Sequence, residues 1–211
     1  MTLSERLGVT VPPERPPVFV TVPDFTREDM VDLFRDLGFT AGAEIGVGCG
    51  RFSEQFCTKM PHLRMLSIDP YRVFGSYHQT QEPYDAEFAA VSQRLGVFPH
   101  CTLIRKTSME AVVDVPDRSL DFVYIDGDHH YSYALDDIRA WSAKVRVGGI
   151  VAGHDFNRYA GETGRHWNVK QAVHDFANGV PLAAVFIFGR HARRRGYRKC
   201  PRSYMWVNPG E

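Results

Sequence analysis

The sequence predicts an α/β fold: a doubly wound, mostly parallel sheet of seven strands, with helices on both faces and an antiparallel strand pair at one edge. Three observations predict it. Short apolar runs alternate with amphipathic helical stretches through most of the chain, the pattern of parallel strands joined by helical crossovers. The run 120–125 is apolar almost throughout, as a strand covered on both faces must be. The last two strand-like runs have no helical stretch between them, which is the connection of an antiparallel pair. At 211 residues, 44% of them hydrophobic, one domain can bury its core without disulfides.

Taken in order, residues 1–24 carry prolines at 12, 13, 16, 17 and 23 and read as an extended arm, with a short strand at 18–22. The remainder, 25–211, reads as a single domain. A helix starts near Thr26, where Thr26 and Asp29 suit a capping box. Met30, Leu33, Phe34 and Leu37 give it an apolar stripe, and Gly38 ends it. The first central strand is 41–46, followed by a turn with glycines at 46, 48 and 50 and a helix to about 58. The second strand, 63–69, ends in Asp69.

A long connection over 70–85 holds Tyr71, Phe74, Tyr77, His78 and Tyr84, and its length suggests a lid over a ligand. A helix over 85–95 precedes the third strand, 101–105, and Lys106, Thr107 and Ser108 form the next turn. The fourth strand, 120–125, runs into Asp126-Gly-Asp-His-His-Tyr131. A helix follows with Tyr131, Ala134, Leu135, Ile138, Trp141 and Val145 on one side. Strand 150–153 ends at His154-Asp155, a helix covers 168–178, and strands 183–188 and 203–207 close the fold.

Bulk chemistry narrows the partners. Twenty-five basic residues balance twenty-five acidic ones, so no overall field attracts a polyanion. The run Arg190–Lys199 therefore reads as a solvated hairpin in preference to a nucleic-acid surface. Four cysteines without a Cys-x-x-Cys spacing point to reduced thiols, a cytoplasmic setting and no structural zinc. No apolar run suits a membrane span or a signal peptide.

The chemistry-bearing residues fall at the carboxyl ends of the strands, where open α/β sheets bind ligands. Glycines at 46, 48 and 50 let a ligand approach the backbone, and the helix that follows presents free amides. Arg51 stands where a dinucleotide loop needs a small residue, and no Lys-Ser/Thr pair follows for a phosphate loop.

The pattern Glu44-x-Gly46-x-Gly48-x-Gly50 resembles instead the first motif of the Rossmann-like, class I S-adenosylmethionine-dependent methyltransferases. Residues 121–131, the motif Asp137-Ile-Arg-x-Trp141, the stretch 148–156 and the helix 167–176 are similar to one branch. That branch contains cephalosporin-hydroxylase-like proteins and macrolide-sugar O-methyltransferases. The resemblance covers roughly residues 40–188. It implies S-adenosylmethionine as cofactor, with Glu44, Gly46, Gly48 and Gly50 around its methionine part, Asp69 on the ribose, and Thr107 and Ser108 near the adenine.

The resemblance further implies methyl transfer to a hydroxyl of a small molecule or sugar, with or without a divalent cation, Mg²⁺ or Mn²⁺. Asp126 and Asp155 are the expected ligands, with Asp128 or His154 completing the set. Phe156 stands where catechol-type relatives have an amide ligand. Asp126 and His129 are the expected catalytic pair, with neutral His129 preferred to His130 as base for its proximity to Asp126. Homo-oligomerisation is left open. The alternatives are a nucleic-acid methyltransferase docking through 190–199, a non-catalytic cofactor-binding protein, and an NAD-dependent oxidoreductase, the last disfavoured by Arg51.

Overall fold

The computed structural model describes residues 1–13, 15–73, 80–156, 159–160, 166–189 and 202–209. In chain order the strands are β1 (Val18–Thr21), β2 (Ala41–Ile45), β3 (Arg64–Ile68), β4 (Cys101–Ile104), β5 (Leu120–Ile125) and β6 (Val145–Gly153). They continue with β7 (Tyr159–Ala160), β8 (His166–Trp167), β9 (Ala184–Phe188) and β10 (Ser203–Val207). The helices are α1 (Leu3–Arg6), α2 (Arg27–Asp36), α3 (Arg51–Lys59), α4 (Glu82–Leu95), α5 (Ser108–Ala111), α6 (Tyr131–Ser142) and α7 (Val169–Gly179).

The main sheet runs β1-β9-β10-β6-β5-β2-β3-β4. Strands β4, β3, β2, β5 and β6 are mutually parallel, and β10 is antiparallel to both its neighbours, β6 and β9. This is the fold class expected from the sequence, with one strand more than the seven expected. The eighth is β1, from the proline-rich segment, which pairs in parallel with β9 from Val18↔Ala184 to Thr21↔Ile187. Prolines at 12, 13, 16, 17 and 23 lie outside its four residues, so every amide of the strand remains free to pair.

Period-two alternation along the central strands divides the core. On β5, Val123 and Ile125 face one cluster, built with Ala134, Leu135, Ile138 and Trp141 of α6 and Val169, Ala172 and Val173 of α7. Phe122 and Tyr124 face the other, with Met30, Val31 and Phe34 of α2 and Phe52, Phe56 and Cys57 of α3. Phe122 is fully buried, its ring 4.7 Å from Phe34 and 4.9 Å from Phe56. Gly42 makes room for it: a Cβ there would fall 2.2 Å from the ring.

The caps follow the sequence. Thr26 and Asp29 form the expected capping box at the start of α2, with Thr26 N–H donating to Asp29 Oδ2 at 2.8 Å. Helix α4 starts at Glu82, three residues earlier than expected, because Pro83 fits its first turn. Phe74, Tyr77 and His78 of the expected lid, and the whole basic run 190–199, lie outside the described residues. Among the described residues, no helix is long and apolar enough to cross a membrane.

Candidate active site

The five parallel strands end in register. Ile104, Ile68, Ile45, Ile125 and Gly153 are aligned partners across β4, β3, β2, β5 and β6. The next residue on each strand therefore forms one row: Arg105, Asp69, Gly46, Asp126 and His154. The ladder continues into it. Gly46 N–H donates to Ile68 O at 2.9 Å, Asp126 N–H to Ile45 O at 2.7 Å, and His154 N–H to Ile125 O at 3.0 Å. The strand order reverses between β2 and β5, since β3 and β4 lie on one side and β6 on the other. Such a reversal opens a crevice at the carboxyl edge, and Gly46 and Asp126 flank it.

Glycine is required at position 46 for two separate reasons. Its φ of 86° is left-handed, and a Cβ would lie 2.1 Å from the Asp126 carbonyl oxygen. Gly50, also left-handed, serves as N-cap of α3 and faces Val91 of α4. Gly48 has no neighbour within 4 Å of its missing side chain, so the turn is open there.

Asp69 ties the next strand end to this turn. Its Oδ2 accepts from Gly48 N–H and its Oδ1 from Tyr71 N–H, both at 3.0 Å. Burial raises its pKa above the ordinary carboxylate value, against the pull of the Gly48, Tyr71 and Val47 amides. Each oxygen keeps a further lone pair, so a bound diol can still be accepted. Tyr71 completes the cradle: buried, with φ at 41°, it donates its hydroxyl to Gly48 O at 2.8 Å. Arg105 Nη2 and Gln81 Nε2 donate to Tyr71 O at 2.7 and 2.8 Å. Tyr71 was legible only as one aromatic in a long connection; nothing in its spacing marks it as the prop of the turn.

Glu44 departs from its expected place at the ligand. It is 2% exposed and points beneath the turn, accepting from Ser53 Oγ of α3, which lies 2.6 Å from Ser67 Oγ of β3. Burial carries its pKa from the ordinary 4.5 to about 8, so at neutral pH it is a neutral acid under the glycines. It supports the turn from below and has no open face for a ligand.

Thr107 and Ser108 follow β4 at the same edge of the sheet, and their hydroxyls are engaged within the fold. Thr107 caps α5, exchanging hydrogen bonds with Glu110. Ser108 Oγ accepts from Trp141 Nε1 at 2.7 Å and reaches the buried Asp137. Both hydroxyls thus serve the local fold: one caps α5 and the other anchors Trp141.

The expected chemistry at the other end of the row comes together. Ligand atoms of Asp126, His154 and Asp155 all lie within 4.8 Å of one another. Asp155 has a left-handed φ of 53°, an uncommon conformation for a non-glycine residue. His129 Nε2 is 2.9 Å from Asp155 Oδ2 and 3.6 Å from Asp126 Oδ1. His154 Nδ1 is 3.3 Å from Asp155 Oδ2 and 3.6 Å from Asp126 Oδ1. Two imidazoles thus face two carboxylates.

Burial works to strip the imidazole protons, but bonding and charge from Asp126 and Asp155 outweigh it. His129 is carried to about 10 and His154 to about 9. The same contacts hold Asp155 below the ordinary carboxylate range against its own burial. Facing two carboxylates, His129 favours its protonated form, whereas the sequence reading expected a neutral base there. Asp128 stands apart: its Oδ1 is 2.5 Å from His130 Nδ1 and accepts from His130 N–H at 2.8 Å. That contact settles His130 as a local cap-side partner of Asp128.

Comparison with known proteins adds the family. Residues 43–156 match a family model described as a methyltransferase domain. Over 53 residues, 25% of this chain, the sequence is 38% identical to an uncharacterised protein, y4gI, of Sinorhizobium fredii; the match spans 6% of that protein's length. The fold is similar to the O-methyltransferase of Bacillus cereus solved with S-adenosylhomocysteine, at TM-score 0.61 and 12% identity, over 85% of this chain and 79% of that one. It is similar also to the N-methyltransferase NodS of Bradyrhizobium japonicum, solved with the same molecule, at TM-score 0.60 and 13% identity, over 87% and 86%.

Proposed function

The chain belongs to the methyltransferase-domain family, and from that premise we propose that it moves a methyl group from S-adenosylmethionine to a hydroxyl oxygen of a small molecule or sugar. The observation that carries this reading is the row of strand ends. Gly46 and Asp69 offer a nucleoside cradle on one side of the β2–β5 crevice, and Asp126, His154 and Asp155 offer polar chemistry on the other. Donor and acceptor would meet between them. Residues 25–211 form the methyltransferase domain in this reading, and the segment 1–24 braces it through β1.

The acceptor oxygen attacks the sulfonium methyl in line. An oxygen–carbon bond forms, the carbon–sulfur bond breaks with its electron pair going to sulfur, and the acceptor's proton leaves to a base. Holding the two reactants in line is the main service the fold gives, since orientation alone is worth about 7–11 kcal/mol of such a barrier. Asp69 accepts from the ribose hydroxyls while Tyr71 keeps the Gly46–Gly50 turn in shape.

One nitrogen and two carboxylate oxygens from Asp126, His154 and Asp155 fit a divalent cation, Mg²⁺ or more readily Mn²⁺ given the imidazole. When bound, such an ion supplies positive charge that acidifies an acceptor hydroxyl and balances the two carboxylates that His129 and His154 now balance. With the cation taking over the balance of charge, His129, 2.9 Å from Asp155, would give up its own proton and as neutral imidazole would be placed to receive the hydroxyl proton.

Calorimetry with S-adenosylhomocysteine tests the donor half, and absence of binding to the purified protein would refute it. Transfer of labelled methyl into fractionated extracts identifies the acceptor class. Activity that survives exhaustive chelation and is indifferent to Asp155→Asn would remove the cation while leaving methyl transfer in place.

A further inference from the structure

Arg27 is a cation in a position that its own helix does not favour. It is the first residue of α2, at the positive end of the helix dipole, where acidic side chains are stabilising and basic ones are not. That end of α2 lies at the carboxyl edge of the sheet: Phe25 O accepts from Gly189 N–H, just past β9. From there the guanidinium lies over the Phe52 ring, 5.0 Å from its centroid, with the Tyr124 hydroxyl in its electrostatic reach. Phe52 is two residues beyond Gly50, in the first turn of α3; Tyr124 is two residues before Asp126.

Arg27 is thus held between the glycine turn and the end of β5, and feels the charge of Asp126. Its ion pair among the described residues is with Glu28, 3.7 Å away, with both side chains more than a third exposed. Such a pair in solvent contributes little. The stacked placement over Phe52 orients the fork of donors, and a planar fork matches a carboxylate with two parallel bonds. Asp126 is already faced by His129 and His154.

We propose that Arg27 is the carboxylate-binding residue of the donor site, taking the α-carboxylate of the amino-acid part of the S-adenosyl cofactor. The inference rests on the methyltransferase reading above. Contact with Phe52 assigns Arg27 to the donor side: it stacks on the helix that the glycine turn leads into.

The test compares two ligands that differ in that group. S-adenosylhomocysteine carries the amino-acid part, and 5′-methylthioadenosine is the same nucleoside thioether without it. Calorimetric titrations of wild type, Arg27→Met and Arg27→Lys are expected to show S-adenosylhomocysteine weakened about tenfold to a hundredfold by Arg27→Met. Binding of 5′-methylthioadenosine is expected to stay within about twofold of wild type, because it makes no charged contact with Arg27. Arg27→Lys should recover part of the loss.

Equal weakening of both ligands, or no weakening of either, would overturn the assignment while the methyltransferase reading stands. Failure of the wild type itself to bind S-adenosylhomocysteine sinks that reading and the assignment together. Should Arg27→Met not fold, Arg27→Gln, which keeps a polar side chain over Phe52, gives the same comparison.

Discussion

Glu44→Gln provides the most informative perturbation, because a buried acid beneath the turn makes stability depend on pH in a defined window. The carboxyl is 2% exposed and its pKa is carried from 4.5 to about 8. Below pH 4.5 the folded and unfolded chains are both protonated there, and the stabilising share of the neutral acid is intact. Between 4.5 and 8 the unfolded chain has lost this proton and the folded chain keeps it, so stability falls as pH rises. The slope is about 1.4 kcal/mol per pH unit, which amounts to roughly 3–5 kcal/mol over the window.

Glutamine keeps the size and the acceptor for Ser53 Oγ but does not titrate. Urea unfolding at pH 5, 6, 7 and 8, followed by the fluorescence of the buried Trp141 and Trp206, should show variant and wild type within about 1 kcal/mol at pH 5. At pH 8 the variant should be the more stable by about 3 kcal/mol or more. His129 and His154 titrate in both proteins and cancel in the difference. Parallel curves, with a constant gap from pH 5 to 8, would refute the reasoning: Glu44 would then be ionised in the fold, with Arg27 as its counter-charge.

Other outcomes follow from the same geometry. Gly46→Ala forces a Cβ onto the Asp126 carbonyl at φ 86°, and should cost more than about 3 kcal/mol in urea unfolding. Gly48→Ala meets open space and should cost only about 1–2 kcal/mol. Tyr71→Phe removes the bond to Gly48 O; a loss of about 1 kcal/mol and a few-fold weaker S-adenosylhomocysteine titration are expected. Phe122→Ala empties a fully buried ring site among Phe34, Phe56 and Gly42, and should destabilise by about 3–5 kcal/mol in the same unfolding assay.

Much of this site could be read before the structure because it is built from strand ends. Apolar runs locate the strands, and a carboxylate or glycine at the close of a run marks the edge where ligands bind, which is how Asp69, Asp126 and Asp155 were legible. Side-chain direction was less so. Glu44 sits on a strand buried on both faces, and only the tertiary partner Ser53 decides that it points down. Thr107 and Ser108 have the right turn composition, but a cap and a tryptophan compete for their hydroxyls. The charge state of His129 depends on Asp155, which is 26 positions away and out of reach of any local pattern. Strand β1 was legible as extended chain, yet its pairing with β9 spans most of the molecule.

The aligned row of strand ends also bears on when this protein can bind anything at all. Its members run from Gly46 to His154, and no two of them are neighbours in sequence. No short piece of the chain carries the pocket, and a slip of one residue in any central strand would move its member by about 3.3 Å and turn it to the opposite face. Ligand affinity is therefore a gauge of correct sheet assembly: a partly assembled chain would be blind to its ligands, and donor and acceptor bound together would draw on strand ends far apart in the sequence.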